Sequence, residues 1–161
     1  MDELETEQFC WRDTYFVWFD AARRPSLKQI QQTLDALPEH YTLQTPEADD
    51  AGGFESITLL SRTDHSALEI SFLAGEDLRE QAEALAEEMK NSTENETRRL
   101  AKLANCNARF DVMQFERIED VDADEADLDE AFDPSTLLIV LGALVRLVDG
   151  IGVDPQSGLI V

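Results

Sequence analysis

The amino-acid sequence predicts an α+β fold in which helices pack on an antiparallel sheet. Within residues 67–73 apolar and polar side chains alternate, which is the period of a strand in a sheet with one buried face. Within residues 78–89 apolar side chains recur at helical spacing, with glutamates between them. Helices and antiparallel strands of this kind are mixed but segregated along the chain, which is typical of the α+β class.

The first strand covers residues 14–19 and is rich in β-branched and aromatic residues. An open sheet face would be polar, yet both faces of this strand are apolar. We therefore expect the second face to be covered, either by the C-terminal helix or by a second subunit. The residues that alternate between the two faces, and are the candidate interface, are Tyr15, Phe16, Trp18 and Phe19.

The first helix begins after Pro25. Ser26 is the predicted N-cap, and Gln29 three residues later completes a capping-box pattern. Pro38 ends the helix, because the residue before a proline avoids helical backbone angles. Its apolar face repeats at helical spacing through Leu27, Ile30, Leu34 and Leu37.

Three strands are predicted after this helix. Residues 41–44 form a short strand, and residues 46–53 form a loop rich in acidic and glycine turn formers. Residues 54–61 and 67–73 form a β-hairpin, because only a short polar stretch separates the two strand patterns.

Two helical patterns precede the next strand. The helix at 75–89 opens with acidic residues, which suit the positive N-terminal end of a helix. The pattern breaks at Asn91 and resumes at Leu100, which predicts a kinked helix or two helices. Residues 109–118 then form a strand, with Phe110 and Val112 on one face and Met113 and Phe115 on the other.

A strongly acidic segment follows. Nine of the fifteen residues 119–133 are acidic and none is basic, which predicts a linker or a solvated loop. Its Asp120-x-Asp122-x-Asp124 spacing resembles the start of a calcium loop. Such a loop needs glycine at its sixth position and glutamate at its twelfth, where this chain has Glu125 and Ala131, so no specific calcium site is predicted.

The predicted organisation is a single domain over residues 1–161. An acidic tail (1–8) precedes an α+β core (9–118), whose element order resembles the ferredoxin-like β-α-β-β-α-β arrangement. The acidic loop (119–133) then leads to a C-terminal helix and a β-hairpin (134–161).

Charge excludes several function classes. The formal net charge is −22, from 13 basic and 35 acidic residues. Direct nucleic-acid binding needs a basic surface that neutralises phosphates, and adhesion to an anionic membrane needs the same. The acidic N-terminus is the reverse of a secretory signal, so we expect a cytoplasmic protein in which Cys10 and Cys106 are free thiols.

No motif indicates catalysis. The chain lacks a phosphate-binding glycine loop and a nucleophile elbow. His40 and His65 lie in polar turns without cysteine or histidine neighbours, which is not the spacing of a metal site. We therefore predict no catalytic residue in this chain and no bound cofactor or metal.

Three segments together resemble those of an uncharacterised family of acidic bacterial proteins. They cover about a third of the chain and are Ser66–Ser71 leading into Gly75-Glu76, Arg109–Val112 continuing to Phe115-Glu116, and Asp149–Gly158. The resemblance implies a bacterial, cytosolic protein. It implies no activity and no functional residues.

Three functions stay open. The leading hypothesis is a non-enzymatic module that binds a protein partner or a second copy of itself. A sharper version is an inhibitor, an immunity-type protein or a nucleic-acid mimic that covers a basic partner, because opposite charge steers association. The other class is a small-ligand-binding domain or an enzyme with a pocket between sheet and helices.

Overall fold

All the strands that the structure describes belong to one antiparallel sheet. The structure, a computed structural model, describes residues 9–37, 41–61, 66–90, 97–117, 135–154 and 159–160. The strands are β1 (Phe9–Phe19), β2 (Thr42–Ala48), β3 (Phe54–Ser61), β4 (Ser66–Ala74), β5 (Ala108–Arg117), β6 (Ile151–Asp154) and β7 (Leu159–Ile160). The helices are α1 (Leu27–Asp35), α2 (Glu76–Met89), α3 (Thr97–Ala104) and α4 (Ser135–Val148), with a 3₁₀ turn at Ala21–Arg23.

The strand order is β2-β3-β4-β5-β1-β6-β7. The predicted α+β class is confirmed, but the ferredoxin-like arrangement is not. Strands β2 to β5 pair in chain order, and β1 lies between β5 and β6 with antiparallel pairing on both sides. The periodicity of a strand shows which of its residues share a face, and it does not show which strand lies beside it.

Two strands are longer than predicted. β1 begins at Phe9, five residues before Thr14, and its register against β5 shifts between Trp11 and Asp13. β2 continues to Ala48, into the first part of the region predicted as loop. Its proline, Pro46, lies where the register against β3 shifts between Gln44 and Glu47, and prolines are tolerated at such irregularities of an edge strand.

The predicted capping box begins α1. The Gln29 N–H donates to Ser26 Oγ at 3.1 Å, and the Ser26 N–H donates to Gln29 Oε1 at 2.9 Å. Two N–H groups that lack helical partners are satisfied in this way. The helix ends at Asp35, and Pro38 lies outside the described residues.

Helices cover both faces of the sheet around β1. We call the face that carries Val17 and Phe19 the first face; it packs with α1 and α4 in one core cluster. The opposite, second face carries Trp18, which packs with α2 and α3 in another cluster. The prediction that both faces of β1 are apolar is confirmed, and within this chain helices cover each face.

An aromatic group fills the centre of the first face. Phe110 has no exposed surface, and its ring centroid lies 4.6 Å from that of Phe19 and 5.7 Å from that of Phe54. Phe72 closes the group at 6.4 Å from Phe110. Edge-on and tilted contacts of this kind add to the stabilisation from burial.

The predicted C-terminal helix and hairpin are present. α4 ends at Val148, and β6 pairs with β7 through Val153 opposite Ile160. None of the described helices has the length and apolar character needed to cross a membrane. The acidic tail (1–8), the acidic loop (119–133), His40 and His65 lie outside the described residues.

Candidate functional site

The predicted interface residues lie mostly inside the fold. Trp18 and Phe19 are 2% and 1% exposed, so they offer almost no surface to a partner. Tyr15 and Phe16 are half-buried. The sequence therefore identified a strand with two packed faces, and the interface role of Tyr15 and Phe16 stays a prediction.

Arg109 covers the aromatic side chains of the second face. Its guanidinium lies 4.3 Å from the ring centre of Phe16 and 5.1 Å from that of Trp18. Arg109 Nε donates to Asp111 Oδ1 at 2.5 Å, and Nη1 donates to Gln81 Oε1 at 3.1 Å. This charge-assisted contact ties β5 to α2 and closes the part of the face next to the helices.

A different part of the second face carries an exposed aromatic group. Trp11 is 49% exposed and lies opposite Phe115 in the pairing of β1 with β5. Phe115 and its neighbour Met113 are half-buried. Ala67 and Leu60 continue the same row beside Phe115, across β4 and β3, and are buried at 1% and 4% exposed.

We call the three of these residues that have exposed surface the Trp11 patch: Trp11, Met113 and Phe115. Among the described residues, none of the three belongs to either of the core clusters given above. Trp11 Nε1 donates to Thr14 Oγ1 at 2.9 Å, which orients the indole along the strand. Glu69 lies opposite Met113 in the pairing of β4 with β5 and is half-buried, so a carboxylate borders the patch.

A cavity of about 220 Å³ lies at the other end of β1. Phe19 forms an apolar wall, and the 3₁₀ turn, α3 and the end of α4 supply the remaining side chains. These comprise two carboxylates, two cations, an amide and a thiol: Asp20, Asp149, Arg23, Lys102, Asn105 and Cys106. We call this the β1-end cavity.

Asp149 is the centre of the charges in this cavity. Its Oδ1 accepts a hydrogen bond from Lys102 Nζ at 2.9 Å, and its Oδ2 lies 3.9 Å from Arg23 Nη2. The hydrogen bond from Lys102 holds the pKa of Asp149 below its usual range. The Asp149 backbone has a φ of 50°, in the left-handed region that glycine and asparagine adopt more readily.

Cys106 is not a nucleophile at neutral pH. Burial raises the pKa of its thiol to about 11, and Sγ donates to the Lys102 carbonyl oxygen at 3.4 Å. Thiolates, not thiols, attack electrophiles, so a cysteine that stays protonated lacks the reactive form. The thiol of this cavity therefore supplies no covalent chemistry near neutral pH.

The Cys106 thiol should lose its proton at a higher pH in the folded chain than in the unfolded chain. In a Cys10→Ser chain we expect the thiolate absorbance to appear near pH 11 in the folded state and near pH 9 in urea. Because the folded pKa is the higher one, this thiol stabilises the fold below about pH 9, and that contribution is lost as the pH rises towards 11.

The control for this titration is the Cys10→Ser/Cys106→Ser double variant, which subtracts tyrosine ionisation. A folded-state midpoint equal to the midpoint in urea would show that Cys106 is accessible to solvent rather than buried.

Within the described ranges, no three His, Cys, Asp or Glu side chains are grouped so that they could hold a metal ion.

Neither surface feature could be found from sequence spacing. The Trp11 patch depends on the register that places Trp11 beside Phe115, and the β1-end cavity brings together residues from four separate elements. The only local signal in the sequence is Asp149-Gly150, a pair typical of a helix end.

No protein-family model, curated protein or solved structure matches this chain. The resemblance of three segments to acidic bacterial proteins therefore stays a prediction.

Proposed function

We propose that this chain is a non-enzymatic interaction module that binds a basic protein partner through the Trp11 patch. The observation that carries the proposal is the 49% exposure of Trp11, beside half-buried Phe115 and on the same face as half-buried Met113. These residues lie on a strand pair whose opposite face is filled by the core.

The chemistry of the patch suits a protein partner. Tryptophan, phenylalanine and methionine are enriched at the centres of protein interfaces, where one aromatic anchor often contributes most of the binding energy. The hydrogen bond from Trp11 Nε1 to Thr14 holds the indole in one orientation before binding. An ordered anchor loses less side-chain entropy when a partner covers it.

Charge favours a basic partner over a second copy of the chain. Each copy carries a formal charge of −22, so two copies repel one another at low ionic strength. A partner that carries lysine or arginine around an apolar centre would meet Glu69 at the border of the patch. An inhibitor that covers a basic site is the narrower form of this proposal.

Trp11→Ala tests the proposal, with Leu138→Ala as the matched control. Leu138 is 53% exposed, and it lies on α4, which packs on the opposite face of the sheet. Proteins retained by the immobilised wild-type chain at low salt are identified, purified and titrated against both variants. We expect a basic partner whose affinity falls by roughly tenfold or more with Trp11→Ala, as for an interface anchor, and is unchanged with Leu138→Ala.

The fluorescence of the chain gives a second readout. Trp11 is half exposed and Trp18 is buried, so a bound partner should shift the emission of Trp11 to shorter wavelength. Equal affinity of every purified partner for wild type and Trp11→Ala would overturn the proposal. Concentration-dependent dimers that Trp11→Ala abolishes would replace the basic partner with a second copy.

The β1-end cavity favours a second candidate function, the binding of a small ligand. Its polar side chains converge from the 3₁₀ turn, α3 and the end of α4 around about 220 Å³ of space. Pockets for drug-sized ligands run from about 300 Å³ upward, so a ligand here has few heavy atoms. Because Cys106 is protonated at neutral pH, this candidate is binding rather than thiol catalysis.

A further inference from the structure

We infer that the β1-end cavity binds a small zwitterion of the amino-acid type, with its carboxylate on Arg23 and Lys102 and its ammonium group on Asp20. This inference rests on the second candidate function, the binding of a small ligand in this cavity, and it does not depend on the proposed protein interaction. It follows from the charges that line the cavity and from the size of the space.

The cationic side of the cavity already holds a carboxylate. Arg23 from the 3₁₀ turn and Lys102 from α3 both face Asp149, at 3.9 Å and 2.9 Å. Lys102 is hydrogen-bonded to Asp149, whereas the 3.9 Å between Arg23 Nη2 and Asp149 Oδ2 is longer than a hydrogen bond, so a ligand carboxylate can take N–H groups of Arg23 that Asp149 does not. The Arg23 side chain is 59% exposed, so it can reach a ligand in the cavity without leaving the turn.

The anionic side is fixed by the 3₁₀ turn. Asp20 is its N-cap, and Asp20 Oδ1 accepts the Ala22 N–H at 2.9 Å. This hydrogen bond sets the direction of a carboxylate that has a second oxygen. The Ala21 N–H donates to Asn107 Oδ1 at 2.7 Å, which ties the same turn to the residue before β5.

The conformation of Asp149 places its side chain between the two cations. The residue directly follows α4, and its φ of 50° is the left-handed conformation in which helices commonly end. At this position the side chain contacts both cations of the cavity. A glycine there would keep the helix end and lose the charge that organises Lys102 and Arg23.

The balance of charge selects a zwitterion over a simple anion. The lining has two cations and two carboxylates, while the whole chain has a formal charge of −22. The field of such a chain opposes a free anion, and it exerts little net force on a ligand whose charges cancel. The volume of about 220 Å³ limits the ligand to a small amino acid or a molecule of similar size.

Calorimetric titration of the purified chain with the common α-amino acids tests this inference. Each amino acid that binds is compared with its two single-charge halves, as glycine is compared with acetate and methylammonium. We expect at least one amino acid to bind, and both of its halves to bind about tenfold more weakly or worse, because each half lacks one charge-assisted contact.

Three variants separate this site from the rest of the surface. Arg23→Gln and Asp20→Asn should each lower the affinity for the amino acid by about tenfold. Asparagine at residue 20 can still cap the turn. Arg79→Gln is the matched control, because Arg79 is 55% exposed and also faces one carboxylate, Glu83. The Arg79→Gln variant should bind the amino acid as tightly as the wild type does.

Three results would overturn the inference. The first is that no amino acid binds. The second is that the amino-free acid binds as tightly as its parent amino acid, which would make the cavity an anion site. The third is that Arg23→Gln and Arg79→Gln have equal effects, which would place binding elsewhere.

Discussion

Phe110→Ala should lower the free energy of unfolding by about 3–5 kcal/mol, the usual cost of removing a fully buried aromatic ring. Phe110 has no exposed surface, and three other phenylalanine rings surround it within 6.4 Å. These rings come from β1, β3 and β4, which are held side by side in the sheet, so they cannot all move inward to fill the cavity left behind. The total stability of a domain of this size is about 5–15 kcal/mol.

The measurement is urea denaturation followed by circular dichroism, with Phe115→Ala as the control. Phe115 lies on the same strand as Phe110, faces the other side of the sheet and is half-buried outside both core clusters. Phe115→Ala should lower the free energy of unfolding by about 1 kcal/mol. Equal losses for the two variants would contradict the position of the aromatic core on the first face.

Gly150→Ala should destabilise the fold by about 1–3 kcal/mol, the range for a methyl group forced into a packed site. A Cβ at residue 150 would lie 2.5 Å from the Trp18 carbonyl oxygen and 3.1 Å from Val148 Cγ2. The first of these is a backbone atom of β1, so it cannot move aside as a flexible side chain could. The Gly150 N–H also donates to the Val145 carbonyl at 3.0 Å, which holds this turn against the helix.

Gly142→Ala, eight residues earlier in α4, should have the opposite sign. A Cβ there meets only Arg146 Nη1, at 3.4 Å, which is an ordinary contact with the end of a long side chain. Alanine within a helix is favoured over glycine by about 0.5–1 kcal/mol. Thermal unfolding of the two variants measures both effects. A destabilised Gly142→Ala, or a neutral Gly150→Ala, would contradict the packing of α4 against β1.

Local chemistry made much of the fold predictable. Ser26 and Gln29 predicted a helix start because the capping box depends only on residues three apart. The alternation in β1 predicted two apolar faces for the same reason, and the core clusters confirm both. Each of these features depends only on residues that are close together in the sequence.

Features that depend on distant segments were not predictable. The order that places β1 between β5 and β6 is set by hydrogen bonds between remote strands. In the sequence Trp11 is one of several aromatic residues near the N-terminus, and only the register beside Phe115 shows it as part of a patch. In the same way, Lys102 lies close in sequence to Arg98 and Arg99, whereas its carboxylate partner is Asp149 at the end of α4.

The central place of β1 also bears on the order in which the chain can fold. β1 is the first described strand, yet its neighbours β5 and β6 come from much later in the sequence. The meander of β2, β3 and β4 can close early because its contacts are local, whereas β1 must wait with both hydrogen-bonding edges open. The long loops that bring β5 and β6 to β1 close slowly. Until β6 docks, an apolar strand has an open edge, and the chain is then most exposed to aggregation.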